Sequence, residues 1–198
     1  MKIIYNITMI KYPDRLSWDF PSARQGDKVH LTKGHEEMNI LKSQRVAVLV
    51  DGQNLYLSSR QFGGKPDYSK IMKKLEGRNI VRAIIYNIQP EGVDQSKFIY
   101  AMNALGYEVK SKRPRKLADG TLKSDWDMQI AIDALTLADK VDVMVILTGD
   151  SDFVPLVHAL RSKGVKVEIM SFKESTGQEL IEAADVYIEI TDDMIIHE

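Results

Sequence analysis

From Arg45 onward the chain alternates between apolar runs and amphipathic ones. Residues 46–50 (VAVLV) are apolar throughout, the pattern of a strand covered on both faces. Residues 80–88 (IVRAIIYNI), 141–147 and 165–170 read as further strands, and 107–110 as a shorter one. Between them the spacing predicts helices over 52–62, 68–75, 95–105, 125–138 and 152–163. Phe98, Ile99, Met102 and Leu105 mark one side of the third of these. In the fourth, Met128, Ile132 and Leu135 at i, i+4, i+7 spacing predict the buried face. Thr176-Gly-Gln-Glu179 has the form of a capping box that opens a last helix, and 186–190 predict a final strand.

Strands that alternate with helices, the best of them apolar on both faces, predict an α/β fold. It is a three-layer α/β/α, Rossmann-like domain with a mostly parallel sheet, over residues 45–198. Residues 1–44 break the pattern with Pro13, Pro21, Gly26 and Gly34 and keep no period, so they read as an irregular N-terminal extension. Met38 leads directly into the first strand. The Lys33-Gly34-His35-Glu36-Glu37 stretch before it can be encoded by purine-rich codons resembling a ribosome-binding site. Met38 is therefore a candidate start, with residues 1–37 not translated.

Composition removes several classes of function. A formal net charge of −1 over 198 residues gives no global basic field, so nucleic-acid binding must rest on local charge. The absence of cysteine excludes disulfides and thiolate zinc sites and fits a reducing cytoplasm. His30, His35, His158 and His197 have no ligand spacing, and His158 reads as a helix-face residue. No apolar run approaches the roughly 20 residues that span a bilayer, so no membrane association is expected.

Carboxylates collect where strands end. Asp51 follows the first strand and Asp150 the fourth, and the crevice beyond the carboxyl ends of parallel strands is where ligands bind. Each has a plain alternative as a helix cap. One helix start needs one capping side chain, however, so Thr148-Gly-Asp150-Ser151-Asp152 carries a surplus. Asp125 and Asp127 open the long helix, and Asp127 reaches the same crevice if that helix packs beside the first and fourth strands. Carboxylates so grouped repel unless a cation compensates. An all-oxygen set suits Mg2+ or Mn2+. Asn54 is placed to bond a carboxylate or a metal-bound water, or to face solvent. Thr148 and Ser151 orient Asp150, bind phosphate or satisfy local backbone. Asp133, six residues beyond Asp127, lies about 240° around the helix and reads as structural.

These residues resemble a known family. VLVDGQNLY (48–56), LKSDWDMQIAIDAL (122–135), ILTGDSDFVPLVHALRSKGVKV (146–167) and SFKESTGQELIEAADVYIEI (171–190) are similar to NYN domains of the LabA-like group, in the PIN-like nuclease superfamily. The resemblance spans about residues 45–191. It implies a PIN-like sheet and a magnesium- or manganese-dependent ribonuclease that leaves 5′-phosphate and 3′-hydroxyl ends. By position it implies Asp51, Asp127, Asp150 and Asp152 as catalytic and metal-binding residues, with Asn54 in support. The family's lysine often lies three residues before the helix acid, whereas Lys123 lies four before Asp127, with Asp125 between. That leaves Asp125 or Asp127 as principal ligand; the Asp127–Asp133 spacing favours Asp127.

The segment before the acidic helix is basic, with Lys110, Lys112, Arg113, Arg115, Lys116 and Lys123 against Glu108 and Asp119. It can lead a phosphate backbone to the acids, or form a solvated hairpin that turns at Asp119-Gly120. Tyr56 and Trp126 flank the acidic motifs as candidate base-stacking residues or as packing. The expected partner is single-stranded RNA, with a homo-oligomer left open. Two rival functions remain: a non-catalytic RNA- or protein-binding regulatory domain, and a dehalogenase-type phosphatase. The last needs an aspartate two residues after the nucleophile, where this chain has Gln53.

Overall fold

The computed structural model describes residues 43–116, 122–123 and 125–197. Residues 1–42, with the candidate start at Met38, lie outside the described residues, as does the Asp119-Gly120 turn. The elements run β1 (Arg45–Asp51), α1 (Gly52–Arg60), β2 (Gly64–Pro66), α2 (Tyr68–Lys74), β3 (Asn79–Ile88), α3 (Ser96–Ala104), β4 (Glu108–Lys112), β5 (Arg115–Lys116) and β6 (Leu122–Lys123). They continue with α4 (Asp127–Leu137), β7 (Val143–Leu147), α5 (Val154–Ser162), β8 (Lys166–Ser171), α6 (Gln178–Ala183), β9 (Val186–Glu189) and β10 (Ile195–His197). No described helix is long and apolar enough to cross a membrane.

Six strands form one sheet in the order β4-β3-β1-β7-β8-β9, and every neighbouring pair is parallel. Strand order reverses beside β1, where the chain first moves out through β3 and β4 and then returns to β7. The strands alternate between two cores. Ala47, Leu49, Met144 and Ile146 face Ile130, Ala134, Val157 and Leu160, from α4 and α5. Val46, Val48, Val50, Val145 and Leu147 face Leu55, Ile71 and Met102, from α1, α2 and α3. Burial on both faces is why these strands are apolar throughout, each large side chain contributing roughly 1.5–3 kcal/mol.

Two details differ from the expected pattern. In α4 the buried residues are Ile130 and Ala134, whereas Met128, Ile132 and Leu135 are 73%, 49% and 38% exposed. The helix carries two apolar stripes, and the side chains around it decide between them. Trp126 packs on Tyr86, and Asp133 receives the Tyr86 hydroxyl, which turns Ile130 and Ala134 to the sheet. The capping box at 176–179 does not form. Gly177 is the N-cap of α6 without a side-chain cap bond, because the Thr176 hydroxyl donates instead to the Phe172 carbonyl.

The amino edge of the sheet is laced with ion pairs. Arg45 meets Asp142 at 3.3 Å, Arg78 meets Glu168 at 2.6 Å, Lys166 meets Glu168 at 3.0 Å, and Arg161 meets Asp185 at 3.0 Å. Glu168 is held below the usual carboxylate range despite its burial, because Arg78 and Lys166 bond it.

Candidate active site

At the carboxyl edge the charges differ in kind. Asp51 is the last residue of β1 and only 6% exposed. Its carboxylate caps α1, accepting the Asn54 backbone N–H at 3.0 Å. Its pKa is nevertheless raised to about 6, chiefly by burial, with Asp127 and Asp150 adding to the rise against the lowering N–H bonds of Asn54 and Gln53. Gly52 is required next. A Cβ there would sit 2.7 Å from the Tyr86 carbonyl oxygen, so only glycine lets α1 begin this close to β3.

β7 lies beside β1, with Leu147 level with Val50, so the loop after it opens into the same crevice. The Asp150 carboxylate accepts the Asp152 N–H at 3.0 Å and caps a 3-10 turn, Ser151–Phe153, that leads into α5. Thr148 is fully buried, and its hydroxyl accepts the Asp150 N–H at 3.3 Å, the local backbone role. Asn54 joins the two loops: its Oδ1 accepts the Gly149 N–H at 2.9 Å. The side chain is half-buried, and its oxygen serves this loop-to-loop bond. Ser151 packs against Gly177, where a Cβ would fall 1.8 Å from its Oγ.

Asp127 begins α4 on the stripe that faces the sheet, in line with Ile130 and Ala134. Its carboxyl is raised by burial first, then by Asp125, Asp150 and Asp152. Asp127 is thus the helix acid in the field of Asp51, while Asp125 is exposed and uses its carbonyl to accept the Lys112 ammonium. Asp133 stands apart, bonded by the Tyr86 hydroxyl, Lys110 and Gln129. Trp126 is packing: it is 9% exposed, and its indole N–H donates to the Asn87 carbonyl.

Part of the basic segment is committed within the protein. Lys110 pairs with Asp133 at 2.7 Å, and Lys112 lies 4.3 Å over the Trp126 ring. Arg113 is exposed. Beyond it β5 and β6 pair antiparallel, Arg115 with Lys123 and Lys116 with Leu122.

The four acids fit a hard divalent cation in donor chemistry and in charge. Among the described residues none of them has an ion-pair partner. Among the described residues, too, no three acidic or histidine side chains converge on one point that a metal could occupy. The charges sense one another while Asp51 and Asp150 point into their caps.

A cleft of about 740 Å³ opens next to Asp51, between α1, α2, α3 and the end of β3. Gln53, Tyr56, Asn87 and Gln95 are in its lining, with Tyr68 and Phe98 packed edge to face at 6.0 Å. The Tyr68 hydroxyl is pushed upward by burial and then by the charge of Asp51, which ties the cleft to the acidic centre. Sequence reasoning missed the cleft, because its lining comes from five separated segments with no common spacing.

A parallel sheet whose carboxyl edge gathers aspartates at the reversal of strand order has the layout of a ligand-binding α/β domain. Residues 45–191 match the NYN domain family, and the chain belongs to that family, in its LabA-like group. It is similar to the Low amplitude and bright protein LabA of Synechococcus elongatus, 26% identical over 160 residues, covering 76% of this chain and 86% of that one. The uncharacterised protein MJ0482 of Methanocaldococcus jannaschii is 28% identical, over 74% of this chain and 55% of its own length. Among solved structures, VPA0982 of Vibrio parahaemolyticus, a protein of unknown function, superposes with a TM-score of 0.73 at 31% identity, covering 77% and 96% of the two chains. The NYN family places the domain among PIN-like nucleases.

Proposed function

We propose that this domain is a divalent-metal-dependent ribonuclease that hydrolyses phosphodiester bonds of single-stranded RNA. One observation carries the reading. Asp51, Asp127 and Asp150 share a crevice in which Asp51 is buried and raised to about 6, without a cationic side chain among the described residues to balance them. Mg2+ or Mn2+ supplies that charge and, when bound, polarises a phosphate oxygen and acidifies a water. Asp51, Asp150 and Asp127 would hold the ion, and Asp152 would orient the attacking water or a second ion. Asn54 keeps the two acidic loops in register. Arg113, Arg115, Lys116 and Lys123 would guide the phosphate backbone. The expected products carry 5′-phosphate and 3′-hydroxyl ends.

The test is cleavage of a labelled single-stranded RNA by pure protein with Mn2+. Asp150→Ala should lower the rate by at least about a hundredfold, as loss of a transition-state-stabilising group does, with the fold retained by circular dichroism. Cleavage that survives the substitution refutes the site. A non-catalytic RNA-binding domain is the second reading, favoured by the lack of three converging acidic or histidine side chains among the described residues. Retained RNA binding with no cleavage under any divalent cation would select it.

A further inference from the structure

We propose that the cleft beside Asp51 receives one unpaired nucleobase of the RNA, stacked on Tyr56 and read at its edge by the amides of Gln53, Asn87 and Gln95. The inference rests on the ribonuclease reading and gives it a specificity pocket. The cleft volume of about 740 Å³ falls in the range of ligand sites, roughly 300–1,000 Å³. Its position follows from the chain: Gly52 and Gln53, which line it, come directly after Asp51. A strand whose phosphate lies at Asp51 therefore has its neighbouring base at the cleft mouth.

The lining chemistry suits a base. Gln53, Tyr56 and Leu57 share one face of α1, at i, i+3, i+4 spacing, and Tyr56 remains 47% exposed there. An exposed ring beside a cleft is a stacking platform for any base. Tyr68 and Phe98 supply further aromatic surface. Asn87 and Gln95, also in the lining, are already ordered: Asn87 Nδ2 donates to Gln95 Oε1 at 2.7 Å, and Gln95 Nε2 donates to the Ile88 carbonyl. Amides fixed in this way present donors and acceptors in a set orientation, as base edges require. The charge of Asp67 is directed elsewhere, to capping α2. Lys65 lies at the cleft and is exposed, a cation for an adjoining phosphate.

The experiment uses the full chain, Mn2+ and an oligoribonucleotide in which one abasic residue is walked past the cleaved bond. At one position the missing base should lower kcat/KM about 5- to 100-fold, the worth of a stacked base. In Tyr56→Ala that loss should vanish, because the platform is already gone, while Tyr56→Phe keeps it. An abasic penalty of equal size in wild type and Tyr56→Ala overturns the proposal and leaves hydrolysis standing, as does the lack of any penalised position. If no RNA is cleaved, adenosine 5′-monophosphate is added to isotope-labelled protein. Amide shifts at Gln53, Leu57 and Gln95 that disappear in Tyr56→Ala would keep the base site without the ribonuclease. No shift at those amides would discard the base site.

Discussion

Asp51 does two things that pull against each other. Its carboxylate caps α1, which favours the charged form, yet its burial beside Asp127 and Asp150 raises its pKa to about 6. The unfolded chain releases that proton near pH 4, so between about pH 4 and 6 the folded form holds more protons. Stability from this group is full below pH 4, is lost as pH rises through 6, and above that the buried charge costs up to about 3 kcal/mol. Asp51→Asn keeps an oxygen for the cap and removes the charge. In cation-free buffer it should raise stability by about 1–3 kcal/mol at pH 8 and by nothing at pH 4, read from urea midpoints. An unchanged midpoint at pH 8 contradicts an uncompensated Asp51. The position of this residue was legible in VLVDG, because a carboxylate after a buried strand has few other places to be. The cap was legible as its plain alternative; whether the same carboxylate also serves as a ligand was not, since a cap and a ligand are written with the same letter.

Between the elements, the loops after β1 and β7 are set by short-range fits that leave a faint trace in sequence. Asn54 holds the Gly149 N–H, and Gly149 is confined because a Cβ would lie 2.5 Å from the Ser175 carbonyl oxygen. Asn54→Ala leaves that N–H without its partner, which costs about 1–3 kcal/mol. It should also lower cleavage by about 10- to 100-fold, as loss of a group that orients ligands does. Its melting temperature and its rate should both fall, whereas Asn54→Asp, which retains an acceptor but adds a charge beside Asp51, should recover the first only at a pH low enough to protonate these acids. The strands were readable because double burial demands continuous apolar runs. The buried face of α4 was not, because Met128, Ile132 and Leu135 make as good a stripe as Ile130 and Ala134. Only the ring of Trp126 on Tyr86 and the bond from Tyr86 to Asp133 select one.

For the molecule as a whole, the sheet has a neutralised edge and an unbalanced one. Arg78 and Glu168 are nearly buried, at 10% and 5% side-chain exposure, and they link the loop before β3 to β8 across β1 and β7. Arg78→Ala leaves the buried Glu168 with only the half-exposed Lys166 and should destabilise the fold by up to about 3–5 kcal/mol, measured by chemical denaturation at pH 7. The loss should shrink as pH falls through the lowered pKa of Glu168, since protonation removes the charge that Arg78 balances. A formal net charge of −1 conceals this arrangement completely. Seen from far away the chain is almost neutral; within a Debye length, roughly 8–10 Å, each edge has its own balance of charge and its own response to salt. Added salt should leave the buried Arg78–Glu168 pair nearly untouched while it relaxes the repulsion among the acids opposite. Ionic strength is therefore a control that addresses the two ends of this sheet separately.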